Sequence, residues 1–164
     1  MELAQGVTLL TATLLTGLVA GLLFTFAQAV MPGLSRSGDA GFVAGFQAID
    51  GAINNPWQGA TFAGAPLLTV LALVLQLGDG GGSTAVCVLA AVVLLGAALA
   101  ITFRVHLPLN AAIQAVGEPD GVADLAAVRR SFEARWVRWN VVRAALSTAA
   151  FGCLAWSLVL FGGR

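Results

Sequence analysis

Charge is absent from four long stretches of this chain, Leu3 to Ser35, Gly51 to Gly78, Gly80 to Phe103 and Ala144 to Gly163, and every charged residue lies between or beyond them. A helix needs about 20 mainly apolar residues to cross the hydrocarbon core of a bilayer. Each stretch holds such a run, so the pattern predicts four spans, near Val7 to Met31, 61–78, Ala85 to Phe103 and Val142 to Phe161. The second is the weakest, because its apolar centre, Ala65 to Leu75, is short and must recruit Thr61, Phe62 and Ala63. Composition agrees: 59% of the 164 residues are hydrophobic and 10% charged, with a mean hydropathy of +0.91, against roughly 25% charged in soluble domains. Eight arginines balance eight carboxylates and lysine is absent. No basic excess is left for a phosphate backbone, which excludes a nucleic-acid partner.

A secretory leader would open with a basic segment ahead of a short apolar one. Here Met1 and Glu2 lead into a longer run, which reads as an uncleaved first span. Within it Gly17 and Gly21 have the spacing of close helix packing. Arginine placement sets the expected topology, since positive residues favour the cytoplasm. Arg36, Arg104, Arg129, Arg130, Arg135 and Arg138 belong to the two longer connections, against Arg164 at the opposite end. The expectation is a cell-membrane protein with residues 32–60 and 104–141 at the cytoplasmic face and both termini outside. The glycine-rich segment Asp79 to Ser83 reads as a hairpin connector. No second domain is expected.

The polar residues gather in the longer connections. Pro32 and Gly33 are expected to stop the first helix, with Ser35, Ser37 and Asp39 capping another. Phe42, Phe46, Ile49 and Ile53 then recur at helical spacing, an amphipathic helix of about four turns. Gln47, Asp50 and Asn54 form a polar stripe beside that face. Pro108 is expected to break the third helix, with Asn110 serving the freed carbonyls. A last helix should run unbroken into the fourth span, with Arg129 and Glu133 paired at i, i+4 and Phe132, Trp136, Trp139 or Asn140, and Arg143 along one face. Arg135 and Arg138 fit an interfacial belt. Arg143 differs, because it starts the fourth span, and a cation at that depth turns inward to a partner. Asp50, Asn54 and Asn110 are the candidates. Together with Trp139 and Asn140 they compose a small-molecule site.

Several segments carry a family likeness. The first span ending Val30, Met31, Pro32, the run Phe46 to Ile49 followed by Asn54, Asn55, Pro56, the stretch Leu107, Pro108, Leu109, Asn110, and the closing Trp136, Trp139, Asn140, Arg143 resemble the anthrone oxygenase-like family of small four-span membrane proteins. The likeness covers nearly the whole chain, and its specificity lies in the order of motifs that are individually weak. It implies an all-α membrane four-helix bundle with an additional amphipathic helix after the first span and a long final helix. It also implies oxidation of an anthrone to a quinone by molecular oxygen with no cofactor and no metal. The site residues implied are a base, Asp50 or His106, with Arg143 and the donors Asn54, Asn110 and Asn140 around an oxyanion. Gln47, Trp136 and Trp139 complete the binding surface for a hydrophobic aromatic ligand. The family pattern favours asparagine at the positions of Asp50 and His106, so a catalytic histidine does not transfer to His106 by resemblance alone.

A second class stays open, a non-catalytic membrane protein that binds lipid or a hydrophobic ligand, or an accessory subunit. The small residues of the spans also suit a homo-oligomer. A haem or copper site built on His106 with Met31 or Cys153 is disfavoured, because a single histidine leaves too few strong ligands in one chain.

Overall fold

No water is present in a bilayer core to bond backbone amides, so apolar runs of this length must satisfy them within one helix. The computed structural model describes residues 1–78 and 82–163. Among these the long elements are α1 (Glu2–Leu34), α2 (Asp39–Ile53), α3 (Pro56–Gly78), α4 (Gly82–Gln114) and α5 (Leu125–Gly162), with a 3-10 turn at Pro119–Gly121 and no strand. Helices α1, α3, α4 and α5 are each long and apolar enough to cross a membrane, and α2 is the amphipathic addition. The protein is an all-α, multi-pass membrane bundle. The connector expected at Asp79 to Ser83 lies outside the described residues at 79–81, as does Arg164.

The four long helices close a ring in which α1 packs on α3 and α5, and α4 packs on α3 and α5. Their outer faces carry exposed Leu18, Leu67, Val93 and Val159. The interior buries Gln5, Thr16, Gln76, Ser147 and Ser157. Apolar outside with polar groups inside is the arrangement expected where lipid replaces water as solvent. Gly17 makes one close approach: a Cβ there would lie 2.9 Å from Phe151 of α5, whereas Gly21 faces open space. Only the first glycine of the pair therefore serves packing.

Two expectations about helix ends are corrected. Pro32 does not stop α1, which continues to Leu34, and Pro108 does not break α4, which continues to Gln114. Each proline follows a π turn, Phe26–Val30 in α1 and Thr102–His106 in α4. The turns are closed by i→i−5 bonds from the Met31 amide to the Phe26 carbonyl and from the Leu107 amide to the Thr102 carbonyl. Proline interrupts a helix because its ring meets the carbonyl four residues back. That carbonyl, of Gln28 or Arg104, falls in each case inside the widened turn. The capping expectation for α2 changes as well. Gly38 occupies its N-cap without a side-chain bond, while the Ser35 and Ser37 hydroxyls donate to the Pro32 and Leu34 carbonyls at the end of α1.

Helix α2 lies across one end of the bundle. Phe42, Val43 and Phe46 are buried there with Phe26, Met31, Ile113, Phe132 and Trp136. Arg129 of α5 fastens the start of α2, donating to the Ser35 and Ser37 carbonyls, to Asp39 at 3.2 Å and to Glu133 at 2.7 Å. It also sits 4.7 Å from the Phe42 ring centroid. The middle of α2 is tied to the end of α4 and to the chain just after it. Gly117, in a left-handed conformation that favours glycine (φ +73°), offers its carbonyl to Gln47 Nε2 at 3.1 Å.

Candidate functional site

Beneath α2 an open cavity of about 580 Å³ enters the bundle, within the range of small-molecule sites. Its buried floor is made by Leu23 and Phe26 of α1, Phe46 of α2, His106 of α4, and Trp136, Asn140 and Arg143 of α5. Its exposed rim runs through Asn54, Asn55, Pro56 and Gly59 at the α2–α3 turn and reaches Leu107 of α4. Both π turns bear on it, supplying Phe26 from one and Thr102 and His106 from the other. A π turn adds a residue and so rotates everything beyond it relative to a regular helix. Single π turns recur at functional sites for that reason.

Two connected polar groups meet the Trp136 ring. In the first, the Asp50 carboxylate accepts from Asn110 Nδ2 at 2.6 Å and from Gln114 Nε2 at 3.0 Å, while Asn110 Oδ1 accepts from the Trp136 indole N–H at 2.9 Å. Asn110 is thus not a partner for freed carbonyls, as its position after Pro108 suggested, but a bridge from carboxylate to indole. In the second, Arg143 donates from Nη1 to Thr102 Oγ1 at 3.1 Å and from Nη2 to Asn140 Oδ1 at 2.9 Å. Asn140 Nδ2 in turn donates to the Leu23 carbonyl at 3.0 Å, and the guanidinium carbon lies 6.0 Å from the Trp136 centroid. Arg143 does turn inward, yet it bonds neither Asp50 nor Asn54 nor Asn110.

His106 is 2% exposed and meets Trp136 edge to face at 5.1 Å between centroids. Neither of its buried ring nitrogens has a partner at full hydrogen-bond geometry, and the backbone of Ile101 and Trp136 lies beside them. Asp50 and His106 are the metal-ligating side chains of the lining, and no group of three or more His, Cys, Asp or Glu comes together among the described residues.

The structure brings Asp50, Asn54, His106, Asn110, Trp136, Asn140 and Arg143 to one cavity and leaves two expected members outside its lining. Gln47 donates instead to the Ile113 and Gly117 carbonyls, joining α2 to the end of α4. Trp139 is half-buried, with the Arg138 guanidinium 5.7 Å from its ring centroid. The α5 face reads Phe132, Trp136, Asn140, Arg143, so Asn140 and not Trp139 holds the inward position. Thr102 and Gln114 join these groups without a sequence motif that singles them out. Thr102 stands four residues before His106 at the end of an apolar run, a spacing that could have marked it.

The fold and cavity define a class, multi-pass four-helix membrane proteins with a largely apolar, aromatic-walled pocket that holds a few polar groups at one end of the bundle. Within it the assignment is narrower. Residues 57–153, more than half of the chain, match the anthrone oxygenase family, and the chain belongs to that family. No curated protein and no solved structure matches it. His106, Asn110, Trp136, Asn140 and Arg143 lie within the matched stretch, whereas Asp50 and Asn54 precede it.

Proposed function

We propose that this protein is a cofactor-independent oxygenase, which binds an anthrone or a similar fused-ring aromatic in the cavity and converts its central methylene to a carbonyl with molecular oxygen. One observation carries the reading. In a chain of the anthrone oxygenase family, an aromatic-walled cavity of about 580 Å³ is lined by a carboxylate, an imidazole and a guanidinium, those of Asp50, His106 and Arg143. Neutral imidazole has one nitrogen free to accept a proton. His106 takes a proton from the methylene, and the charge spreads over the ring system to its oxygen. Arg143 and neighbouring donors stabilise that oxyanion. The carbanion carbon bonds dioxygen to give a peroxide, which is protonated. Loss of the second C–H proton with cleavage of the O–O bond leaves the carbonyl and one water, so the methylene and O2 balance quinone and H2O. Asp50 acts through Asn110 on the position of Trp136, and Asn54 contacts the ligand at the rim.

The arginines of the longer connections support a cytoplasmic cavity end, with both termini on the other side of the cell membrane. The test is oxygen uptake by the purified protein with emodin anthrone, measured above autoxidation. Uptake above the background, lost in Arg143→Ala and Asn110→Ala, is expected. Full activity in both folded variants removes the site assignment. A bound lipid or hydrophobic ligand with no uptake favours a non-catalytic binder.

A further inference from the structure

Arg143 carries a charge that its own protein does not answer. The residue is 6% exposed, and its Nε makes no hydrogen bond. Its partners, Thr102 and Asn140, are neutral. Among the described residues the ion pairs within 4.0 Å involve Arg129 and Arg130, and none involves Arg143. Asp50, the one acid in the cavity lining, has both oxygens engaged by Asn110 and Gln114. A buried cation without a counter-charge is costly, and within a membrane such a group faces a partner or a cavity. Here it faces the cavity.

We infer that the cavity takes its ligand as an anion, an aromatic molecule whose carboxylate, phenolate or enolate oxygen sits against Arg143 and whose ring lies along Trp136. The inference rests on the reading of the cavity as an aromatic-ligand site. The Nη hydrogens not used by Thr102 and Asn140 offer charge-assisted bonds of the kind that carboxylate and related oxygens accept. Asn140 cannot replace that charge, because its amide is held between the Leu23 carbonyl and Arg143. Position within the cavity fixes orientation. Asp50 is only half-buried and belongs to α2, next to the exposed Asn54, whereas Arg143 is on the floor. A negative group is repelled near the rim and drawn to the floor, so the anionic end of the ligand enters first.

The test uses two probes of nearly equal shape, anthracene-9-carboxylate and neutral anthracene-9-carboxamide, titrated against the full-length protein in detergent by quenching of tryptophan emission. Comparing each probe across variants cancels its partition into micelles. Relative to wild type, Arg143→Gln should lower the carboxylate-to-carboxamide affinity ratio by at least about tenfold, the lower end of what a buried charge contact carries. Arg143→Lys, which keeps the charge, should retain most of it. An unchanged ratio in Arg143→Gln, with the carboxamide still bound, overturns the anion inference and leaves the binding site standing. Should Arg143→Gln not fold, Arg143→Lys against wild type decides, and carboxylate binding no tighter than carboxamide in both overturns it. Failure of both probes to bind wild type overturns the site reading and this inference with it.

Discussion

Asn110 is the joint between the acidic group and the aromatic wall, and its energetic weight can be measured with a double-mutant cycle. Asn110→Leu removes the bonds to Asp50 and Trp136 with little change of volume, and Trp136→Phe removes the indole donor. A neutral hydrogen bond in a soluble protein contributes about 0.5–1.5 kcal/mol, while interhelical bonds in a membrane protein average about 0.6 and rarely exceed about 1.7 kcal/mol. Trp136 is 3% exposed, so water does not readily reach its N–H, which argues for the upper half of these ranges. The cavity beside Asn110 admits water, which limits the value from above. A coupling of about 1 kcal/mol follows. Asn110→Leu alone should lose more, about 2–3 kcal/mol, because a carboxylate also loses a donor. The assay is reversible unfolding by SDS titration of the four proteins. Additivity within about 0.3 kcal/mol, the level seen for sites that do not interact, would falsify the Asn110–Trp136 bond as a stabilising contact.

The two tryptophans should separate by function: Trp136→Phe should reduce anthrone-dependent oxygen uptake and Trp139→Phe should not, and equal losses would return Trp139 to the site. Arg129→Ala should destabilise by about 1–2 kcal/mol, since it binds carboxylates and carbonyls with 18% of its side chain exposed, whereas Arg130→Ala, 70% exposed and 4.0 Å from Asp124, should change little. Equal unfolding midpoints for the two would refute the clamp. Gly17→Leu should disrupt α1–α5 packing at Phe151 while Gly21→Leu is tolerated, and thermal stability in detergent compares them directly. In a chain with Cys87 and Cys153 replaced by Ala, new cysteines at Ser35 and Ser131 should react with an impermeant maleimide only from the cytoplasmic side. Labelling from outside the cell inverts the topology.

The helices were legible because lipid imposes one requirement over a long window: some twenty residues without charge, each backbone amide bonded along the chain. The inward face of α5 was legible in outline, since Phe132, Trp136 and Arg143 keep helical spacing, and only the choice between Asn140 and Trp139 waited for the helix phase. The π turns were not legible. Each shifts the register by a single residue, which leaves composition and apolar length unchanged, and the prolines beyond them look like stops. The partners of Arg143 differ from the expected Asp50, Asn54 and Asn110 for a related reason. With Thr102 inside a π turn, its hydroxyl reaches Arg143, and Asp50 is engaged from the other side by Asn110 and Gln114.

That division of partners has a consequence for the chemistry. Had Asp50 paired with Arg143, the cavity would hold a neutralised ion pair and little reason to admit an anion. Instead the carboxylate is tied into α2 and the end of α4, and the guanidinium is supported by neutral groups on α4 and α5. The matched family stretch carries the cationic and aromatic half, and the acid stands on the segment before it. Asp50→Asn therefore tests whether the two halves act independently. It keeps an acceptor for Asn110 and removes the negative charge near the rim, so it should strengthen anthracene-9-carboxylate binding while leaving the carboxamide unchanged. Weaker carboxylate binding in that variant, with the fold intact, would mean that Asp50 organises the floor through Asn110 and Trp136 more strongly than it repels the ligand.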